Sequence, residues 1–488
     1  MEMPNGNANK VKILDCLKTN KYAANVILYL IWCNFSIKYF KIILLTITQA
    51  FVSKLHLHFK LSSYNLIKYH NVIQYQKFTL DNGLRVLIHE DNSTPLVAVN
   101  LLYDVGSRDE NPEQTGFAHL FEHLMFGGSK NAIDFDDPIQ RAGGDNNAFT
   151  NSDMTNFYAT VPAENLETLL WLESDRMLAL RINKRSLNVQ RKIVVEEFKE
   201  TTLNEPYGDV WHIIGDMVYK KHPYRWPVIG LVPQHIEDAT VENVKDFFTA
   251  FYAPNNAILT VAGNFSKIDG NTEGVKKLVE KWFLSVPASD VPKRNLPQEP
   301  PQTAEIRRTV EANVPLDALY MMFRVPERIH PDYYALDLLT DVLASGSSSR
   351  FFRKLLKEKR LCSEIDCSLS GNLDPGMVII DGKPTEGVTL EQLEDAIWAE
   401  LELIKNELVG EEELQKLKNR VESQQAFGDV GALNKAMNLT FYELIGDSDL
   451  INTEIDHYQK VQVADIQRVA NDIFRKENAS VLYYKAKK

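Results

Sequence analysis

The chain has 488 residues, more than one ordinary core uses, so two domains are expected. Hydrophobic residues make up 44% and charged residues 25%, the balance of a soluble globular protein. A formal net charge of −12 argues against nucleic acid as a partner, because such binders present a basic stripe.

The first seventy residues differ from the rest. They hold nine Lys and no Arg against only Glu2 and Asp15, a surplus of +7 that leaves −19 on the remainder. Two apolar runs, 22–37 and 42–53, are separated by Lys38 and Lys41. Each is shorter than the roughly 20 residues that span a bilayer. Lys18 and Lys21 precede an apolar stretch, as in a signal anchor, but no small-residue cleavage site follows. Richness in Lys, Ile, Asn, Tyr and Phe also fits translated AT-rich non-coding DNA upstream of a later start. Residues 1–73 are therefore set aside as an extension. The protein is cytoplasmic if the start is mis-called, and membrane-anchored or periplasmic otherwise. Cys16, Cys33, Cys362 and Cys367 form no C-x-x-C pair, so neither a disulfide framework nor a thiolate zinc site is expected. A reducing compartment is the mild inference.

Order is expected from about Gln74. Residues 75–80 and 84–89 are β-rich and joined by Asp81-Asn82-Gly83, a hairpin signal. Residues 96–103 form a third apolar strand. A helix over 116–125 is closed by Gly127-Gly128. Past Gly143-Gly144, residues 147–162 are strand-like, and 166–180 and 186–201 have helical periodicity. A further helix ends over 247–252, before a buried strand at 257–262. The polar, proline-rich run from Val291 to Pro301 is an interdomain linker. Beyond it come a strand at 319–325, helices at 333–343 and 351–359, a strand at 377–381 and several amphipathic helices.

The two halves also share a pattern. Residues 240–259 align without gaps to 462–481, so that Val244, Phe251, Asn256 and Ala257 fall on Ile466, Ile473, Asn478 and Ala479. Each copy reads as an amphipathic helix, then Asn-Ala, then an apolar strand. The expected fold is α+β, with two homologous halves, each a mainly antiparallel sheet packed with helices. The boundaries are a catalytic domain over 74–288, a linker over 289–303 and a second, non-zinc domain over 304–488.

The chemistry lies in Phe117-Ala118-His119-Leu120-Phe121-Glu122-His123-Leu124-Met125. On a helix, His119 and His123 are one turn apart on one side and can grip a single Zn²⁺. Glu122, three residues after His119, points to the same edge and can reach a water at the metal. This is H-E-x-x-H in reverse order. A catalytic zinc takes three protein ligands and leaves one position open. The third is sought between Gln190 and Glu200, a helical stretch with the consecutive acids Glu196 and Glu197 and a buried face at 194, 195 and 198. Glu197 can sit at the edge of that face. His212, His235, His330 and His457 are expected to be non-ligands.

These motifs resemble the pitrilysin–insulysin family of inverted zinc peptidases, and within it the bacterial, mitochondrial-processing-peptidase-like branch. The similarity runs from about Tyr75 to the C-terminus. Gly116 to His123 with Gly127-Gly128-Ser129 resembles the family's zinc helix, and Gln190-Arg191 with Glu196-Glu197 its downstream acidic motif. The resemblance selects Glu197 over Glu196 as ligand. Gln190 holds a position that is often acidic in the family, where it would support the ligands from behind. Asn147, Ala148, Phe149 and Thr150 resemble the family's edge strand, which pairs with an extended substrate backbone. His222-Pro223-Tyr224-Arg225 also recurs there and is taken as structural. The family's substrate-holding Arg, and a Tyr seven residues later, are absent: the matching positions are Leu356 and Ser363. The resemblance thus implies a metalloendopeptidase with one Zn²⁺ per chain and Glu122 as general base. It acts on peptides or unstructured segments and pairs with a similar subunit that lacks the zinc motif but supplies Arg and Tyr. A non-catalytic core subunit of the same fold is the alternative, and removal of targeting segments is a third reading with the same chemistry.

Overall fold

The computed structural model describes residues 72–487, so the two N-terminal apolar runs, Cys16 and Cys33 lie outside the described residues. Cys362 and Cys367 are buried free thiols. Among the described residues no helix is long and apolar enough to cross a membrane.

The first half comprises β1 (Gln76–Thr79), β2 (Arg85–Glu90), β3 (Leu96–Tyr103), α1 (Phe117–Met125), α2 (Asp136–Arg141), β4 (Asp145–Thr150), β5 (Thr155–Pro162), α3 (Leu166–Ala179), α4 (Lys184–Phe198), α5 (Val210–Val218), α6 (Pro233–Glu237), α7 (Val241–Phe251), β6 (Ala257–Gly263) and α8 (Asn271–Phe283). The second comprises β7 (Ile306–Ala312), β8 (Ala318–Arg324), α9 (Tyr333–Ala344), β9 (Cys362–Leu369), β10 (Met377–Pro384), α10 (Leu390–Asn406), α11 (Glu411–Gly428), α12 (Ala432–Leu444), α13 (Leu450–Lys460), α14 (Val463–Ile473) and β11 (Ala479–Ala486).

Each half builds one sheet, in the orders β1-β2-β6-β3-β5-β4 and β7-β11-β8-β10-β9. Among the described residues the only parallel pairs are β2 with β6 and β7 with β11, so the sheets share one plan and the first has an extra strand at one edge. The repeat visible in the sequence falls on α7–β6 and α14–β11. In each copy an asparagine at the helix–strand junction holds the chain the same way. Asn256 Nδ2 donates to Phe251 O and Asp104 O, and Asn478 Nδ2 donates to Ile473 O and Arg324 O.

The continuous apolar run of β3 follows from burial on both faces. Val97, Val99, Leu101 and Tyr103 enter the core of the first half with Leu120, Phe121 and Leu124 of α1. On the opposite face Leu102, with Leu87 and Ile258, meets Leu439 and Tyr442 of α12, and Ala98 and Ala262 meet Ala436. The second sheet is covered reciprocally. Val210, Ile214, Met217 and Val218 of α5 pack on Ala318, Met322, Ile379 and Leu482. Each half thus lends one helix to the other's sheet.

Polar contacts close the joint. The buried Arg108 guanidinium lies 2.9 Å from Asp153 and 2.8 Å from Asp374, across the two halves. The Tyr224 hydroxyl donates to Asp153 and accepts the Asp374 N–H at 3.0 Å, which gives the 222–225 motif its place. The linker is strapped along this joint: Arg294 holds Asp104 and Asp109, and Glu299 accepts the backbone N–H groups of Lys220, Lys221 and His222.

Some elements differ from expectation. Residues 147–162 form a hairpin because the Asn151 side chain accepts the N–H groups of Asp153 and Met154 and turns the chain. Strands β7 and β9 carry charged residues on an exposed face, which hides their periodicity. Residues 352–358 form a wider, π-type turn.

The Lys435–Asp91 pair, 2.6 Å apart and mostly buried, ties α12 to the first half. Burial opposes ionisation of Asp91, but its bonds to Lys435 and Ser93 win and bring the carboxyl down to about 2. Because this lies below the unfolded value, the stabilisation is present above about pH 4 and lost as pH falls through about 2. Lys435→Met is expected to lower unfolding free energy by about 1–3 kcal/mol at pH 6. In urea titrations the gap from wild type should narrow between pH 4 and pH 2.

Candidate metal centre

Helix α1 is amphipathic: Leu120, Phe121 and Leu124 are buried while His119, Glu122 and His123 lie on its partly open side. Its N-terminus has no side-chain cap of its own, since Gly116 occupies that position at φ +87°. A Cβ there would come within 2.9 Å of Ile229 O, so glycine is required on both counts. The buried Glu110 supplies the cap from six residues upstream: its carboxyl oxygens accept the N–H groups of Gly116 at 2.9 Å and Ala118 at 2.8 Å. Sequence reasoning missed Glu110. The signal was a helix start with glycine in place of a capping side chain.

Helix α4 lies against α1. Val194, Val195 and Phe198 face inward, and Arg191 fixes the helix by donating to Ala239 O at 3.1 Å and to Glu237 O and Asn188. This places Glu197 opposite the histidines. His123 Nε2 is 3.3 Å from Glu197 Oε2 and 3.3 Å from His119 Nε2, and His119 Nε2 is 3.7 Å from Glu197 Oε1. The helix then widens into a π-type turn, Lys199–Asn204, a distortion frequent beside functional sites.

The three side chains form the one group among the described residues in which three or more His, Cys, Asp or Glu converge closely enough to hold a metal. Tetrahedral zinc with bonds of about 2.0–2.1 Å sets its ligand atoms about 3.3 Å apart. Two of the observed spacings equal that figure and the third, 3.7 Å, is slightly longer, so the residues fit the ion. Burial pushes the His119 imidazole below its ordinary value despite the nearby Glu197, favouring the neutral ring a metal needs. The contact from His123, with help from His119, holds the Glu197 carboxyl below the usual range although burial opposes it.

Glu122 stands beside the group without joining it. It accepts a 2.6 Å hydrogen bond from the Thr150 hydroxyl, at the end of β4. Strand β4 is the last of its sheet, so Asn147, Ala148, Phe149 and Thr150 lie on an edge. The Asn147 side chain accepts the Ala148 N–H at 2.8 Å, and Phe149 meets the Tyr158 ring. Glu196 points elsewhere and binds Lys199 at 2.7 Å. Gln190 makes no hydrogen bond to the three residues, since seven positions along a helix is about 10 Å. His212 bonds Gly230 O and His235 bonds Thr115, while His330 lies by Asp332 and His457 stacks on Tyr334, all away from the group.

Residues 85–220 match the insulinase family, peptidase M16, and residues 238–421 match the peptidase M16 inactive domain. The chain is 31% identical over 426 residues to zinc protease PqqE of Helicobacter pylori, covering 84% of this chain and 93% of that protein. It is 25% identical over 411 residues to YmxG of Bacillus subtilis, an uncharacterised zinc protease, covering 83% and 97% respectively. The fold superposes on a crystal structure of a protease from Helicobacter pylori with a TM-score of 0.79 at 29% identity, covering 85% of this chain and all of that one. It superposes on pitrilysin with a TM-score of 0.67 at 18% identity, over 86% of this chain and 45% of the pitrilysin chain.

Metal analysis after dialysis tests the ligand set. Wild type and Glu196→Ala are expected to retain one zinc per chain, and His119→Ala, His123→Ala and Glu197→Gln to lose it. Zinc should raise the melting temperature of the first pair only.

Proposed function

The chain belongs to the insulinase family, peptidase M16, and from that premise we propose that it is a zinc-dependent endopeptidase for peptides and unstructured polypeptide segments. The observation that carries this reading is the meeting of His119, His123 and Glu197 at metal-ligand spacing, with Glu122 held beside them by Thr150. Zinc in that set supplies Lewis acidity, which polarises a peptide carbonyl and acidifies water.

The chain's own residues do the rest. The edge strand β4 takes the substrate backbone as a further strand and brings one peptide bond beside Glu122. Glu122 accepts a proton from the attacking water as the new C–O bond forms at the carbonyl carbon. It returns that proton to the amide nitrogen as the C–N bond breaks, so the products are a carboxylate and an amine. The Thr150 hydroxyl holds one Glu122 oxygen and leaves the other free for the proton.

A non-catalytic core subunit would have no need to keep this set together, and nothing in the site favours that reading. The division between a zinc-bearing domain over 74–288 and a non-zinc domain over 304–488 is part of the proposal. It is supported by the two sheets and by the absence of a second convergent His and acid group among the described residues. At the positions that match the family's Arg and Tyr stand Leu356, packed against the second core, and Ser363, exposed on β9. We propose that a homologous chain without the zinc motif supplies them. The 45% coverage of pitrilysin supports this, since a second chain of similar length would complete such a molecule.

Glu122→Gln is expected to keep its zinc and to lower turnover of an unstructured peptide by about 10²–10⁴-fold. Unchanged turnover would remove Glu122 from the mechanism. The purified chain alone is expected to be slow and to gain rate when mixed with its partner. A monomer already at full rate, unaffected by any homologous chain, would refute the pairing.

A further inference from the structure

Between β3 and α1 the chain makes a short 3-10 turn, Ser107–Asp109, closed by Glu110. Ser107, Arg108 and Glu110 are buried, and each residue of the turn is held to a different part of the molecule. Ser107 O accepts Trp226 Nε1 at 2.8 Å. Arg108 reaches Asp153 in the first half and Asp374 in the second. Asp109 binds Arg294 of the linker at 2.7 Å. Glu110 accepts the N–H groups of Gly116 and Ala118 at the start of α1. The backbone of the turn also carries the hairpin that follows β4: Ser107 N–H donates to Asn151 O at 3.2 Å and Arg108 N–H to Ser152 O at 3.0 Å. The approach is close enough that a Cβ on Gly106 would come within 2.4 Å of the Ser152 carbonyl carbon.

Two parts of the candidate site therefore rest on one turn. Helix α1 brings His119, Glu122 and His123, and the end of β4 brings Thr150 to Glu122. Helix α4, which brings Glu197, is held separately through Arg191. A movement of the turn displaces the histidines relative to that carboxylate instead of shifting the whole group. Ala118 directly precedes His119 and is fully buried, so its N–H has no water to turn to once the Glu110 acceptor is lost. The second half enters through Arg108, two residues before Glu110. The metal group itself is drawn entirely from the first half.

We infer that Glu110 is a positioning residue for the metal group, and that the turn 107–110 couples the geometry of that group to the seating of the second half through Arg108 and Asp374. The inference rests on the zinc endopeptidase reading for its bearing on cleavage, while metal affinity reads it without any substrate. It gives the second half a part in metal binding that none of its residues plays by contact.

The test measures zinc dissociation constants of the full chain by competition with a chelator, well below the melting temperature, and the visible spectrum of the cobalt-loaded protein. Glu110→Gln keeps the shape and removes one acceptor, and is expected to weaken zinc by about tenfold or more, as loss of a group that orients ligands does. Asp374→Asn, in the other half, should weaken it about threefold to tenfold, and the double variant by less than the product of the two factors, because both act through one turn. Both single variants should shift the cobalt bands, which report ligand geometry. Lys435→Met loosens the fold elsewhere and should leave the affinity within about twofold of wild type, with the bands in place. Wild-type affinity and bands in Glu110→Gln overturn the positioning role. An unchanged Asp374→Asn, a double variant equal to the product, or an equal loss in Lys435→Met overturns the coupling. Should Glu110→Gln fail to fold, Asp374→Asn against Lys435→Met decides alone. The expected metal effects in a wild type that cleaves no peptide support the coupling and sink the endopeptidase reading instead.

Discussion

The exchange of helices between the halves governs the rest of the structure. Sheets of this width have two faces, and each half has helices of its own for one face only. The second face of the first sheet is sealed by α12, and that of the second by α5. Apolar surface left open to water costs about 25 cal/mol per Å², so neither half is complete without the other. Arg108, Asp153 and Asp374 then lock an orientation that the helices have already chosen.

That orientation has a chemical result. The turn after β4 is held by the loop that carries Leu373, whose N–H donates to Asp153, so the end of the edge strand beside Glu122 is fixed. The residues of the candidate metal group have similar backing. Glu110 anchors the start of α1, Arg191 anchors α4, and the buried faces of both helices set their spacing. A group in which three side chains meet at 3.3–3.7 Å tolerates little drift, and it is assembled from two helices of one core.

Much of this was legible in the residues. The i, i+4 histidines and the glutamate between them define one helical face by geometry alone. The choice of Glu197 over Glu196 was not legible from periodicity, because consecutive acids on a partly exposed helix have equal claims. It came from resemblance, and the structure shows why they differ: one acid faces α1 and the other pairs with Lys199. The repeat was visible because Asn256 and Asn478 do the same structural task. The helix exchange was hidden, since an amphipathic pattern shows that a helix has an apolar face but not which sheet receives it. The Thr150–Glu122 bond joins residues far apart in the chain, and no local pattern marks such a pair.

Strand β4 has a further consequence. A strand at the rim of a sheet invites any extended backbone, including that of another copy of the same protein. This rim begins Asp145-Asn146-Asn147, polar and poor in β-propensity, and Asn147 occupies the Ala148 N–H with its own side chain. The arrangement discourages stacking into fibrils while leaving the stretch next to Thr150 open. An edge left open on one side is in this way kept from recruiting its own kind.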